Sequence, residues 1–150
     1  MNNRMDYQRE LERIREHFGY DFMALALVEP AEYQYVIKWK NAAGNLNDRF
    51  KRIVLQSGKG IAGVVFKTGK SVFIPSVHQY VGADNLFNYP IVQSEKLKSL
   101  GAVPLWNDAR VAGVLLGGFR EELLMTAAMM RDLEALAHRG FGELNGKEVM

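Results

Sequence analysis

Apolar positions recur along the chain with two periods, one helical and one alternating. Between residues 5 and 18, Tyr7, Leu11, Ile14 and Phe18 share one helical face, Arg and Glu occupy the other, and Gly19 follows as a natural C-cap. "FMALALVE" (22–29) predicts a buried strand, turned by Pro30-Ala31-Glu32 into a second. That second strand, "YQYVIKWK" (33–40), places Tyr33, Tyr35, Ile37 and Trp39 on one face and Gln34, Lys38 and Lys40 on the other. "NAAGNLND" reads as a loop and "FKRIVLQ" (50–56) as a strand. The stretch "SGKGIAGVVFKTGKSVFIPSV" (57–77) predicts a glycine turn, a short helix over 61–67, a stop at Thr68-Gly69 and a strand at 71–75. Residues 76–97 show little periodicity and read as a long connection, a length usually either functional or ill-defined. "GAVPLW" and "RVAGVLLGGF" predict two strands around Asn107-Asp108. A helix near 122–139 follows, striped by Leu123, Ala127, Met130, Leu133, Leu136 and Ala137. Hairpin-linked strands with helices at both ends predict an α+β fold built on an antiparallel sheet.

Composition narrows the possibilities. A chain of 150 residues, 48% apolar and 24% charged, predicts one globular domain over 1–150 with a real core. The absence of cysteine removes disulfides, thiolate nucleophiles, zinc-thiolate sites and iron–sulfur clusters from this chain, and suits a reducing cytoplasm. "MNNRMDYQRE" carries charges where a signal peptide needs an apolar run, and "VAGVLLGGF" (111–119) is too short to span a bilayer as a helix, so a cytoplasmic location is expected. The net charge of +2 is unevenly spread: Lys38, Lys40, Arg49, Lys51, Arg52, Lys59, Lys67 and Lys70 face a single acid, Asp48, between them. This band is either a solvated edge or a positive field that concentrates anions. A nucleic-acid role lacks the interleaved aromatic residues of a stacking platform.

Gly58, Gly60 and Gly63 fit G-x-G-x-x-G, the spacing of a dinucleotide loop. Three features argue against that use. The helix that follows is too short for a parallel crossover, the motif comes after three predicted strands, and the strand after it ends "IPSVH" with no acid for a ribose. The glycines still permit a tight turn, and Gly63 a close approach of helix to sheet. The turn aims the N–H groups of Ile61 and Ala62 at whatever precedes the helix, which favours a small anion; water or a neighbouring carbonyl is the plainer occupant.

"LQSGKGIAGVVFKTGKSVFIPSV" followed by "LGAVPLWNDARVAGVLLGGF" resembles the GAF domain, a small-molecule sensor fold, over nearly the whole chain. That likeness implies an antiparallel sheet with the N- and C-terminal helices on one face, and a short helix plus long loop over a ligand pocket on the other. "YDFMALALVE", "IKWKNAAGNLNDRFKRIVL" and "NLFNYPIV" further resemble the stand-alone nitrate receptors of that family, the NreA group. The resemblance implies nitrate in a small buried pocket, held mostly by backbone N–H groups with help from an indole and apolar walls. The matching positions are Trp39, Ile61, Tyr89, Pro90 and Ile91, with Ala62 and Val92 adjacent. It also implies an NreB-like sensor histidine kinase as partner, in a two-component system controlling nitrate and nitrite respiration. Nitrate is expected to order the 76–97 segment, where Tyr80, Phe87 and Tyr89 lie.

Read from the residues alone, each position has a plainer use. Trp39 on an apolar face is often simply core, although a buried indole N–H still needs an acceptor. Pro90 has no N–H and can act only by fixing the path that presents Ile91 and Val92. Tyr89 can donate its hydroxyl, exclude water or merely pack. Lys59 is not expected to touch the ligand. No catalytic residue, metal site or cofactor is expected: His17, His78 and His138 stand apart, and no nucleophile elbow is present. The family's methionine-sulfoxide reductases act through cysteines, which this chain lacks. Two other readings stay open, a GAF module for a cyclic nucleotide or small organic anion, and a ligand-free interaction module. A homodimer through the terminal helices is possible on either.

Overall fold

The structure, a computed structural model, describes residues 6–141. Residues 1–5 and 142–150, part of the domain expected over 1–150, lie outside it. Helix α1 (Tyr7–Phe18) starts where Asp6 accepts the Arg9 N–H at 3.1 Å and ends where Gly19, at φ 76°, donates its own N–H to Arg15 O. Strands β1 (Phe22–Pro30) and β2 (Tyr35–Ala43) form a hairpin closed by the Ala31 N–H on Gln34 O. Strand β3 (Val54–Leu55) pairs with β2. After it come α2 (Gly60–Thr68), β4 (Val72–Ile74), α3 (Val77–Tyr80), α4 (Pro90–Glu95), β5 (Ser99–Asn107), β6 (Arg110–Phe119) and α5 (Ala127–Arg139). The six strands make one antiparallel sheet in the order β3-β2-β1-β6-β5-β4.

Alternation along the central strands feeds two cores. Met23, Leu25, Val103, Leu105 and Leu115 face α1 and α5, where Leu11, Ile14, Leu133 and Leu136 meet them. Phe22, Ala24, Ala26, Leu100, Ala102, Val114 and Leu116 face the opposite way, under α2, α3 and α4. The α+β architecture with terminal helices on one face is therefore the one expected.

Five local expectations are corrected. Strand β2 starts at Tyr35, leaving Tyr33 fully in solvent, and continues through Ala43 where a loop is predicted. Leu25 pairs with Asn41 and Ala26 with Trp39, so Lys40 is the extra residue of a bulge. The seven-residue strand at 50–56 is instead a 3₁₀ turn (Arg49–Arg52) and the short β3, because turning Phe50 into the core leaves Arg49, Lys51 and Arg52 in water. Residues 76–97 hold α3, a second 3₁₀ turn (Ala83–Asn88) and α4, each too short to show a helical period. The β5–β6 turn is Asp108-Ala109, with Asn107 still paired to Arg110. The last helix begins at Ala127, behind Thr126, whose hydroxyl oxygen accepts the Met129 N–H. Leu123 lies before it at φ 65°, bonded through its N–H to Pro75 O, and Met125 rather than Leu123 enters the core.

Tyr20 is buried in the α1–α5 core, and its hydroxyl has no partner among the described residues. Burial, reinforced by Asp132, pushes its phenol well above the ordinary value. Tyr20→Phe removes an unsatisfied group and should leave the urea midpoint unchanged or raise it, against the loss of about 1 kcal/mol expected for a hydrogen-bonded tyrosine.

Candidate ligand-binding site

Trp39 is 2% exposed and faces the α2–α4 side of the sheet, one residue before the bulge. Its Nε1 is buried and has no hydrogen-bond partner among the described residues. A donor stripped of water and left unpaired costs about 1–3 kcal/mol, so an acceptor arriving there gains more than an ordinary hydrogen bond.

Helix α2 follows a turn in which the Lys59 N–H donates to Gln56 O at 3.0 Å and the Gly58 N–H to Gly63 O at 2.8 Å. Gly58 and Gly60 have φ of 82° and 66°, a region that side chains avoid. Gly63 allows a close approach of the helix, but to the turn rather than to the sheet: a Cβ there would lie 2.4 Å from Gln56 O. Lys59 occupies the N-cap position and makes no side-chain cap bond. No acceptor among the described residues takes the N–H groups of Ile61 or Ala62, whose side chains are buried. The start of this helix thus carries free donors and the positive end of its dipole.

Helix α4 supplies the other wall. Tyr89 sits at its N-cap position without a side-chain bond, and Pro90 opens the first turn. Ile91 and Val92 are each 1% exposed, and their N–H groups also lack a protein acceptor among the described residues. Trp39, Ile61, Ala62, Ile91 and Val92 all belong to one buried cluster, with Tyr89 packed against it and Pro90 half-buried. Helices α2 and α4 contact each other. None of these side chains is charged.

The remaining candidates lie elsewhere. Lys59 is exposed. Lys38 and Lys40 both pair with Glu29, and the Lys40 ammonium, helped by Lys38, holds that carboxyl below the usual carboxylate range. Tyr80 and Phe87 are exposed, so Tyr89 is the one aromatic residue of the 76–97 segment packed on the core. The three histidines are exposed, and no cluster of His, Asp and Glu fit for a metal occurs among the described residues. No helix among them is long and apolar enough to cross a membrane.

An open cavity of about 790 Å³ lies beyond Val92, with Val77, Leu86 and Leu97 as floor and Lys96, Lys98 and Glu122 among its rim. Its size would admit a nucleotide. His78 is its sole aromatic lining residue, and neither Trp39 nor the α2 start reaches it. Sequence reading also missed Glu95, fully buried and paired with Arg120 at 2.8 Å. A lone acid in a segment without periodicity gives no signal of burial.

The GAF domain family model matches residues 7–139. The chain belongs to the GAF domain family. Among solved structures, this GAF protein is 43% identical to an NreA protein of Staphylococcus aureus mutated in its nitrate-binding site. That similarity covers 81% of this chain and 89% of the other, with a TM-score of 0.74. A hypothetical protein of S. aureus is likewise 43% identical, over 79% of this chain and 98% of the other, TM-score 0.74. The free methionine-R-sulfoxide reductase of Neisseria meningitidis, at 21% identity over 87% of this chain and 73% of the other, TM-score 0.68, shares the fold. No match is found among curated proteins.

Proposed function

We propose that this GAF domain is a nitrate receptor without enzymatic activity. Nitrate binds between β2, α2 and α4, at Trp39, Ile61, Ala62, Tyr89, Pro90, Ile91 and Val92. The observation that carries the reading is the buried, unpaired Trp39 Nε1 in the same apolar cluster as the uncapped start of α2. The likeness to an NreA protein altered in a nitrate-binding site supports the same ligand.

The chemistry follows from neutral donors in a dry setting. Nitrate is flat, monovalent and weakly hydrated, with acceptor oxygens around its rim. Amide and indole N–H groups can meet those oxygens, and a low local dielectric strengthens each contact. Sulfate or phosphate brings more charge and more bound water, which uncharged donors cannot offset. No Lys or Arg among the described residues is buried where it could blunt that discrimination. The exposed Arg49, Lys51 and Arg52 raise the local anion concentration without touching the ligand.

Binding shifts the protein only by its difference in affinity between two states. The contacts that differ are those of α4 and Tyr89, so nitrate tightens the 76–97 segment, and a sensor histidine kinase of a two-component system reads the change.

The test is thermal unfolding in nitrate, sulfate and chloride at equal ionic strength. At one hundred times the dissociation constant nitrate should stabilise by about 2.7 kcal/mol, roughly 5–10 °C for a chain of this size. Equal shifts for all anions would mean screening and remove the specificity. A shift with a cyclic nucleotide instead would move the ligand to the large cavity.

A further inference from the structure

Glu95 is the one charged side chain among the described residues that is fully buried. It lies at the last position of α4, one helical turn after Ile91. Its Oε1 accepts the Leu46 N–H at 2.8 Å and an Arg120 Nη2 bond at 2.8 Å, and its backbone carbonyl accepts Arg120 Nε at 2.9 Å. Arg120 also donates to Gly44 O at 3.0 Å and to Asp21 O at 3.3 Å, while its N–H reaches Asp21 Oδ2 at 2.8 Å. Beside this knot the Asn47 side chain donates to Ser94 O at 3.0 Å. The start of β1, the turn after β2, the end of β6 and the end of α4 are thus tied at one point.

The pair is not arranged for stability alone. Glu95 Oε2 is buried with no partner among the described residues, and a buried ion pair seldom gains more than well-packed apolar residues would. What it supplies is placement. A helix of six residues cannot hold its own direction, since helices that short draw their stability from tertiary contacts. Ile91, four positions before Glu95, projects from the same side of α4.

We propose that Glu95 and Arg120 are positioning residues for the anion site. Glu95 clamps the last turn of α4 to the rigid end of the sheet and so fixes where the N–H groups of Ile91 and Val92 point. The inference rests on the proposed nitrate reading for what those amides bind; the clamp itself does not.

The experiment compares the full chain with Glu95→Ala and Glu95→Gln, by nitrate calorimetry at a temperature where circular dichroism shows each folded, and by amide exchange without nitrate. Glu95→Ala should weaken nitrate about tenfold, the worth of one well-aligned hydrogen bond, and Glu95→Gln, which keeps an acceptor oxygen, should recover most of that. The Gln93 and Leu97 amides, bonded to Tyr89 O and Val92 O, should exchange faster in Glu95→Ala while those of β1 and β6 do not. Tighter nitrate binding in either variant would reveal simple repulsion between Glu95 and the anion and overturn the proposal. Unchanged affinity in a folded Glu95→Ala would do the same. If Glu95→Ala does not fold, a folded Glu95→Gln that loses nitrate tenfold or more contradicts a clamp made by acceptor geometry. Absence of nitrate binding by the parent chain would sink the receptor reading, and the exchange comparison would still decide the clamp.

Discussion

Trp39→Phe should weaken nitrate binding about tenfold to a hundredfold while changing the stability of the empty protein by less than about 1 kcal/mol. The two effects separate because the indole N–H has no partner among the described residues. Phenylalanine keeps an aromatic ring in the cluster but is smaller, and lost volume in a core destabilises. Removal of an unpaired donor acts in the opposite direction by a similar amount. The bound state alone loses a charge-assisted hydrogen bond, which is among the stronger kinds. Nitrate calorimetry and urea unfolding on the same preparations check both halves. Unchanged affinity would place the anion elsewhere; a large loss of stability with unchanged affinity would make Trp39 ordinary core.

Gly63→Ala should destabilise the protein by about 2–4 kcal/mol, in the upper part of the range for point substitutions. Helix propensity predicts the reverse, since alanine in place of glycine in a helix normally stabilises by about 1 kcal/mol. The sign is set by packing: the new Cβ would sit 2.4 Å from Gln56 O and 3.3 Å from the Gly58 nitrogen, and neither backbone atom can swing aside as a side chain would. Relief requires the 56–60 turn to move away from α2, which breaks the Gly58 N–H bond to Gly63 O and displaces the Ile61 and Ala62 amides. Nitrate affinity in the folded fraction should therefore fall together with stability. A stabilised Gly63→Ala by urea unfolding would show that the turn does not pack on the helix.

The parts of the fold that could be read in the sequence are those where local chemistry and tertiary structure agree. Gly58 and Gly60 mark a turn because their backbone conformation demands glycine. The apolar run "FMALALVE" reads correctly as a buried strand because β1 lies in the centre of the sheet, between β2 and β6, with cores on both faces. Elsewhere long-range pairing overrides local preference. Ala42 and Ala43 are weak strand formers that become strand by pairing with Ala24 and Met23, and the bulge at Lys40 interrupts the alternation that would reveal them. Phe50 looks like a strand residue and is instead the buried pin of a 3₁₀ turn. Helices α3 and α4 could be anticipated only from Ser76, which caps the Gln79 N–H, and from Pro90 at a first turn.

The buried cluster that the proposed site draws on was legible to a similar degree. Trp39 and Ile61 stand out by residue type and by the glycine turn, whereas Ile91 and Val92 are ordinary apolar residues whose proposed role rests on main-chain N–H groups. Backbone donors leave no trace in side-chain identity. Glu95 was invisible for a different reason: its burial depends on Arg120 and on the amide of Leu46, groups 25 and 49 residues away along the chain.

The chain has two tryptophans, Trp39 and Trp106, so its proton–nitrogen spectrum holds two indole signals that Trp39→Phe assigns. Titration of nitrate into the labelled protein asks directly whether the buried indole N–H meets the anion. The Trp39 indole signal, together with the amides of Ile61 and Ile91, should move to saturation with nitrate and stay fixed in sulfate, while the Trp106 indole does not respond. A Trp39 indole signal that ignores nitrate, or that drifts without saturating alongside Trp106 in every salt, would contradict recognition of the anion by uncharged donors at this site.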